Sequence, residues 1–301
     1  MNDRSKFLGG SDIAAVLGLS PWRSAYDVWL EKTGQAQRQD DPEKARLFAR
    51  GKRLEPVVID MLQEERGFNV VARGQRYAHA VNDWMRAEID FEAKMPSGEV
   101  INGEVKTVSN FASGEWGDEG TDEIPIHYAA QVMYGLMVTG RSRALVAALF
   151  GADNLVTYWV RRDEEAIEAM YERAFTFWQQ NVLGGVRPEP QTLEDINKLY
   201  RKNGGPAVEA SPQIAEAVRL LAELKAAQKA NEDAAERLEF QIKEFMRDAG
   251  SITVGGKPVV TWHEQETTRF SQKDFEAAHP ALFEQFKRTT KSRVFRMKKG
   301  A

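Results

Sequence analysis

Asp90 and the run Glu104-Val105-Lys106, fourteen positions further on, put two carboxylates and an ammonium within reach of one another in this 301-residue chain. In a strand, residues i and i+2 project from the same face. Glu104 and Lys106 therefore stand side by side, while Val105 turns into the core behind them. A carboxylate so placed can hold a hard cation, and the ammonium beside it can orient or deprotonate a water. Asp90 ends the preceding strand, Trp84-Met85-Arg86-Ala87-Glu88-Ile89-Asp90, and offers a second oxygen ligand. Glu88, on the same strand face, is either a further ligand or a solvent-facing carboxylate. This is the equipment of phosphodiester hydrolysis, in which two cations about 3.5–4 Å apart make the nucleophile and stabilise the attacking and leaving oxygens. Oxygen-only ligation suits Mg²⁺ or Mn²⁺ and not zinc. By itself the same trio also describes a surface hairpin with a Glu/Lys cross-pair, so its surroundings decide.

Those surroundings read as helices wrapped around a sheet. Gly9-Gly10-Ser11 opens a short helix, Asp12 to Leu17, with Ser11 as its N-cap; glycines at a helix N-terminus let the backbone close on an anion. Pro21-Trp22-Arg23 follows, and Ser24 caps a second helix reaching Lys32, with Gly34 beyond it. A polar loop, 35–42, leads to a helical segment from Glu43 to Glu65, which Arg50-Gly51 could interrupt and Gly67 stops; Glu55 lies beside its apolar stripe. Strands are expected at 68–72, 75–79, 84–91 and 99–106, the last two joined at Pro96-Ser97-Gly98. Residues 110–123 read as a mobile loop beside the site. A helix from Ile126 to Val138 ends at Gly140. Ala144 to Phe150 is a strand covered on both faces, paired with Leu155–Val160, and a helix runs from Asp163 to Val182. Trp159, Phe175, Phe177 and Trp178 suit core packing. Trp22 and Arg23 suit either a stacking loop at a DNA end or, for the tryptophan, the core. Arg161-Arg162 suits a phosphate contact or a solvated turn.

The fold class is thus α/β (α+β): a central mixed sheet flanked by helices over residues 1–190, then a linker over 191–210. A long helical, coiled-coil-like segment follows over 211–250, as one helix or as a hairpin near Asn231. Ile214, Val218 and Leu221, and later Leu238, Ile242 and Phe245, follow heptad seams interrupted by Lys225, Gln228 and Glu232. A small basic β/α module, 251–301, completes the chain, with a hairpin at Gly255-Gly256-Lys257-Pro258, a helix capped by Ser271 and a last strand near Val294–Lys298.

Composition narrows the chemistry. The absence of cysteine excludes zinc ribbons, thiol catalysis and iron–sulfur clusters, and four scattered histidines make no ligand pair. The net charge of −4 is uneven: ten basic against five acidic residues from 251 onward leave −9 on the rest. An acidic body with a basic tail fits a carboxylate-rich metal site and DNA contact through one surface. No apolar run reaches the roughly 18 residues of a membrane span, and the first residues lack an apolar leader; a cytoplasmic protein is expected.

In order along the chain stand Gly9-Gly10-Ser11-Asp12 with Leu19-Ser20-Pro21-Trp22, Arg50-Gly51-Lys52-x-x-Glu55-Pro56, Asp90, Glu104-x-Lys106, and Ile124-Pro125-x-x-Tyr128-x-x-Gln131. Together these resemble the YqaJ-like viral recombinases, which include the phage lambda exonuclease type, within the PD-(D/E)XK nuclease superfamily, over roughly residues 4–182. The resemblance implies a restriction-endonuclease-like core and a metal-dependent 5′→3′ exonuclease on double-stranded DNA ends, leaving 3′ overhangs for phage-type recombination. It implies Glu55, Asp90 and Glu104 as metal ligands with the Val105 carbonyl, two Mg²⁺ or Mn²⁺ ions, Lys106 positioning the attacking water, and Gln131 orienting Lys106 or a DNA strand. Ser11 and Arg4 would hold the terminal 5′-phosphate. A ring-shaped homotrimer, a single-strand annealing partner and a bacterial or phage-infected cytoplasm come with it. One departure stands out: the family sets its first aspartate in a Ser-Pro-Asp-Gly turn, whereas this chain has Glu88-Ile89-Asp90-Phe91, without the Pro and Gly that bend the chain. The alternatives are a structure-specific or nicking endonuclease on the same fold, and a DNA-binding or assembly module with a decayed site.

Overall fold

The computed structural model describes residues 3–36, 41–200, 205–289 and 292–298. Residues 37–40 of the expected loop, 201–204 of the expected linker, and 290–291 and 299–301 of the basic tail lie outside the described residues. The chain divides into two compact units, Met1–Leu199 and Tyr200–Ala301.

The first unit runs β1 (Leu8–Gly9), α1 (Gly10–Val16), α2 (Ala25–Lys32), α3 (Pro42–Arg66), β2 (Val70–Ala78), β3 (Met85–Lys94), β4 (Val100–Val108), α4 (Ile126–Thr139), β5 (Arg143–Phe150), β6 (Asn154–Arg161), α5 (Glu164–Thr176) and α6 (Leu193–Leu199). A π-helical stretch, Phe177–Leu183, prolongs α5. The sheet is mixed: β1 and β3 run parallel, as do β4 and β5, while β2–β3, β3–β4 and β5–β6 are antiparallel.

The pairing of β3 creates the functional geometry. β2 follows one of its edges from Arg86 to Ala93. The opposite edge is shared: β1 takes Met85 and Arg86, and β4 takes Phe91 to Lys94. Between them, Ala87 to Asp90 have no strand on that side among the described residues, so the sheet carries a gap ending at Asp90.

The side chains of β3 also change faces at this point. Ile89 packs with Ala130, Tyr134 and the helices α1, α2 and α5, whereas Phe91 packs with Val58, Ile59 and Leu62 of α3. In a regular strand both would share a face. The rotation is accommodated opposite Asp90, where Gly74 of β2 takes φ +60, open to glycine at no steric cost. Residues 68–72 and 75–79, expected as separate strands, are therefore one strand bent at Gly74. A third cluster joins Val132 and Leu136 of α4 to Val146, Phe150 and Tyr158, which buries β5 on both faces.

Other expectations change locally. The N-cap of α1 is Gly9 and not Ser11, because Asp12 at the third helical position accepts the Gly9 N–H at 3.1 Å. α3 passes Arg50-Gly51 without a break. Residues 110–123 are tied down: Asn110–Glu115 form a 3₁₀ turn, Gly120 N–H donates to the Thr157 carbonyl, and Trp159 N–H donates to that of Thr121. The first unit extends past residue 190, since α6 is anchored by buried Asp195, which accepts from Ser24 Oγ at 2.6 Å.

The second unit contains one unbroken helix, α7 (Pro212–Met246), the hairpin β7 (Ser251–Val254) and β8 (Lys257–Thr261), and the short helices α8 (Gln272–Ala278) and α9 (Pro280–Phe286). Gly255 and Gly256, both at positive φ, form the two-residue turn that such hairpins require. Residues 294–298 form no strand.

Candidate active site

The gap in the sheet opens into a cleft of about 930 Å³ whose walls include Ser11, Glu55, Asp90, Glu104, Lys106 and Gln131. Four elements thus deliver the residues singled out from the sequence to one place: α1, α3, the β3–β4 pair and α4.

Glu104 and Lys106 share a face of β4, as their spacing requires, and are joined directly. Lys106 Nζ lies 2.6 Å from Glu104 Oε1 and 3.0 Å from Gln131 Oε1, and Gln131 Nε2 donates to Glu104 Oε1 at 2.6 Å. The three side chains form a closed hydrogen-bonded ring. Lys106 also stands over the Tyr128 ring, 4.6 Å from its centroid, a favourable cation–π placement. Burial alone would depress the Lys106 ammonium, but the charges of Glu104 and Asp90 and the hydrogen bond to Glu104 outweigh it, and its pKa is raised. Two of the three N–H donors of the Lys106 ammonium are in use. It can orient a water or a phosphate oxygen with the third.

Asp90 reaches across the gap, its Oδ2 accepting the Val105 N–H at 2.9 Å. This side-chain bond stands where β3–β4 backbone pairing has ceased. Its carboxyl is pushed up to about 8 by burial, then by Glu104 and by Glu55, with the Val105 N–H and Lys106 offsetting only part. Behind the gap, Arg141 bonds Asn102 at 2.8 Å and pairs with buried Glu92 at 2.9 Å, fixing the point at which the two strands part. Gly103 lets the Phe91 ring lie over β4, in space that a Cβ would fill.

Glu55, on α3, is held by Lys52 Nζ at 2.9 and 3.0 Å. Lys52 also approaches Glu88 at 3.5 Å, and Glu88 pairs with Arg76 at 3.2 Å on the rim of the cleft. Among the described residues no three carboxylate or imidazole side chains are already gathered at ligating distance. The donor set nevertheless fits a hard divalent cation. It is made of oxygens, and the ionised form of Asp90 lacks compensation from its neighbours, which is why its carboxyl titrates high.

At the other end of the cleft, Arg4 Nη2 donates to Ser11 Oγ at 2.9 Å. The turn presenting Ser11 is braced by buried Asp12, which meets Lys32 at 2.8 Å and Arg23 at 3.2 Å. Burial would raise the Asp12 pKa, but Lys32, Arg23 and Arg4 hold it below the usual range. Arg23 also pairs with Glu31 at 2.6 Å, so its guanidinium is spent on holding this turn and not on the cleft. Trp22 is not a core residue: it is 61 % exposed and meets His127 edge-on at 4.6 Å. Arg162 donates to the Leu136 carbonyl and pairs with Glu164. The sequence reading missed Lys52 as a partner of Glu55, although the i, i+3 spacing on α3 announces it. It also gave no role to Tyr128, which lies under Lys106.

The chain is similar to several known proteins. Residues 1–142 match the family model of the YqaJ-like viral recombinase domain. Protein YqaJ of Bacillus subtilis (strain 168) is 29% identical over 303 residues, covering 98% of this chain and 92% of its own. Among solved structures, the alkaline exonuclease LHK-Exo of Laribacter hongkongensis aligns with a TM-score of 0.46 at 14% identity, over 60% of this chain and 90% of its own. A phage-related exonuclease from Haemophilus somnus 129PT aligns with a TM-score of 0.44 at 14% identity, over 60% and 96%. No described helix is long and apolar enough to cross a membrane.

Proposed function

We propose that this protein is a metal-dependent exonuclease that degrades double-stranded DNA from its ends in the 5′→3′ direction and leaves 3′ single strands for recombination. The observation that carries the reading is the gap in the sheet. It brings a charge-uncompensated Asp90 beside Glu104, whose other neighbours are a fixed ammonium and an amide. Glu55, Asp90, Glu104 and the Val105 carbonyl are the groups that would hold Mg²⁺ or Mn²⁺. Such ions, two per site in this reading, supply a nucleophile at neutral pH and charge stabilisation for the attacking and leaving oxygens. Lys106 orients the attacking water with its free N–H, and Gln131 keeps the Lys106 and Glu104 side chains in register. Tyr128 shields the ammonium from bulk solvent. Arg4 and Ser11 take the terminal 5′-phosphate, a charge-assisted contact suited to an arginine, at the end of the same cleft. A ring-shaped trimer, a single-strand annealing partner and a cytoplasmic setting belong to this reading.

Digestion of end-labelled linear duplex with Mg²⁺ tests it, with 5′-phosphate and 5′-hydroxyl ends compared and closed circular duplex alongside. Loss of label from 5′ ends, faster with phosphate, and an intact circle are expected. A 3′→5′ ladder would refute the polarity, and cleavage of the circle would point to an endonuclease. No cleavage with any divalent ion would mean a decayed site.

A further inference from the structure

The second unit is built on α7, and α7 is nearly bare. Of its 35 residues only Met246 is buried, although the helix spans about 52 Å at 1.5 Å per residue. Ile214 is 57 % exposed, Leu224 68 %, Leu238 60 % and Phe245 77 %. Helices are held mainly by packing an apolar face, and among the described residues this face stays exposed along most of its length, with Leu221 and Ala222 half-buried and the Phe295 ring beside Lys225.

The apolar residues have an order that identifies their partner. From Ile214 to Phe245, each position reached by alternating steps of three and four is apolar or small, save Gln228 and Asn231 at the middle. That is the a/d repeat of a coiled coil. It is also symmetric in polarity about its centre. Taken from the ends inward, Ile214 answers Phe245, Ala217 answers Ile242, Leu221 answers Leu238, Leu224 answers Ala235, and Gln228 answers Asn231. Ala217 and Ala235 stand opposite large residues, the other two apolar layers pair large with large, and the two amides stand opposite each other. Reversing one helix exchanges a with d, so an antiparallel pair of identical helices forms these five layers, each twice. From this we infer that α7 is an antiparallel self-association helix, whose occupant is α7 of a second copy of this chain.

Charge selects the same arrangement. Residues 212–229 carry three basic and two acidic side chains, whereas 230–246 carry two basic and five acidic. An antiparallel pair sets the acidic half against the basic half; a parallel pair would set acidic against acidic, which is penalised. Lys225 and Glu232 flank the amide layer and face each other across the antiparallel pair, but in a parallel pair Lys225 would meet Leu220. The structure also provides a seat for the incoming half-helix: a groove of about 500 Å³ between the C-terminal half of α7 and β8, lined by Leu238, Ile242, Met246, Val260 and Trp262.

The chain has no cysteine, which permits a direct test on the full-length protein. Leu221→Cys protein is mixed with Leu238→Cys protein, oxidised with copper-phenanthroline and resolved without reductant. The mixed disulfide dimer is expected, with little dimer from either variant alone, because each residue lies about 25 Å from its own copy along an antiparallel pair. Ala226→Cys, on the opposite side of the helix, is the control for random collision. In sedimentation velocity, Lys225→Glu and Glu232→Lys should each weaken self-association about tenfold or more, and the double variant should restore it. Self-linked dimers of each single variant, mixed dimers no more abundant than with Ala226→Cys, or a double variant as weak as the singles would overturn the proposal.

Discussion

Replacing Asp90 by Asn is expected to stabilise the metal-free fold while abolishing cleavage. The Asp90 carboxyl, ordinarily at 3.8, is carried to about 8 by burial and by Glu104 and Glu55. A folded-state pKa above the unfolded one means that the folded state keeps a proton between these values while the unfolded chain releases it. Stability from this group is therefore complete below pH 3.8 and is lost as pH rises to about 8. At 1.36 kcal/mol per unit, the four units amount to about 5 kcal/mol at pH 8, a cost shared with Glu104, whose charge is part of the cause. Asn keeps an oxygen for the Val105 N–H and the same volume, and it carries no charge. In urea titrations with EDTA, the variant should gain on the wild type by up to about 1.4 kcal/mol per unit between pH 5 and 8. Tryptophan fluorescence is the natural probe, because six of the seven tryptophans lie in the first unit. Mg²⁺ should then close the gap by stabilising the wild type alone, through mass action on the folded state. A variant less stable than wild type at pH 8, or equally stabilised by Mg²⁺, would refute the assignment of Asp90 as an uncompensated carboxylate awaiting a cation.

Three further outcomes follow from the geometry. Gly103→Ala places a Cβ in the space of the Phe91 ring and should lower stability by about 1–3 kcal/mol, read as a fall in the urea midpoint, with lower cleavage because Phe91 adjoins Asp90. Lys106→Ala should abolish cleavage and leave the binding of labelled duplex ends intact; full activity in that variant would sink the role given to the ammonium. Lys32→Met removes the partner 2.8 Å from fully buried Asp12 and should cost about 3–5 kcal/mol, measured by urea denaturation at pH 7.

The parts of the site that were legible in the sequence are those governed by local geometry. Glu104 and Lys106 needed only the period of a strand, and they stand 2.6 Å apart. Gly67 and Gly140 ended their helices as positive-φ residues, and the mixed sheet with flanking helices followed from alternating patterns. What escaped was non-local. β1 is two residues long, too short for any periodicity, yet by pairing with Met85 and Arg86 it defines one side of the gap. α6 follows Pro188-Glu189-Pro190, a sequence that reads as a linker, and only the buried contact of Asp195 with Ser24, 171 positions away, shows that it is not one. Asp90 is the most instructive case. The missing Pro and Gly around it suggested altered geometry, because the residues that bend a chain were sought next to the bend. The structure distributes that task instead. Gly74 supplies the positive φ on the neighbouring strand, and Gly103 supplies the room for Phe91 to turn to the opposite face. The Val105 N–H holds the carboxylate across the opening. The turn chemistry is therefore present, displaced onto two partner strands, and a local motif could not reveal it.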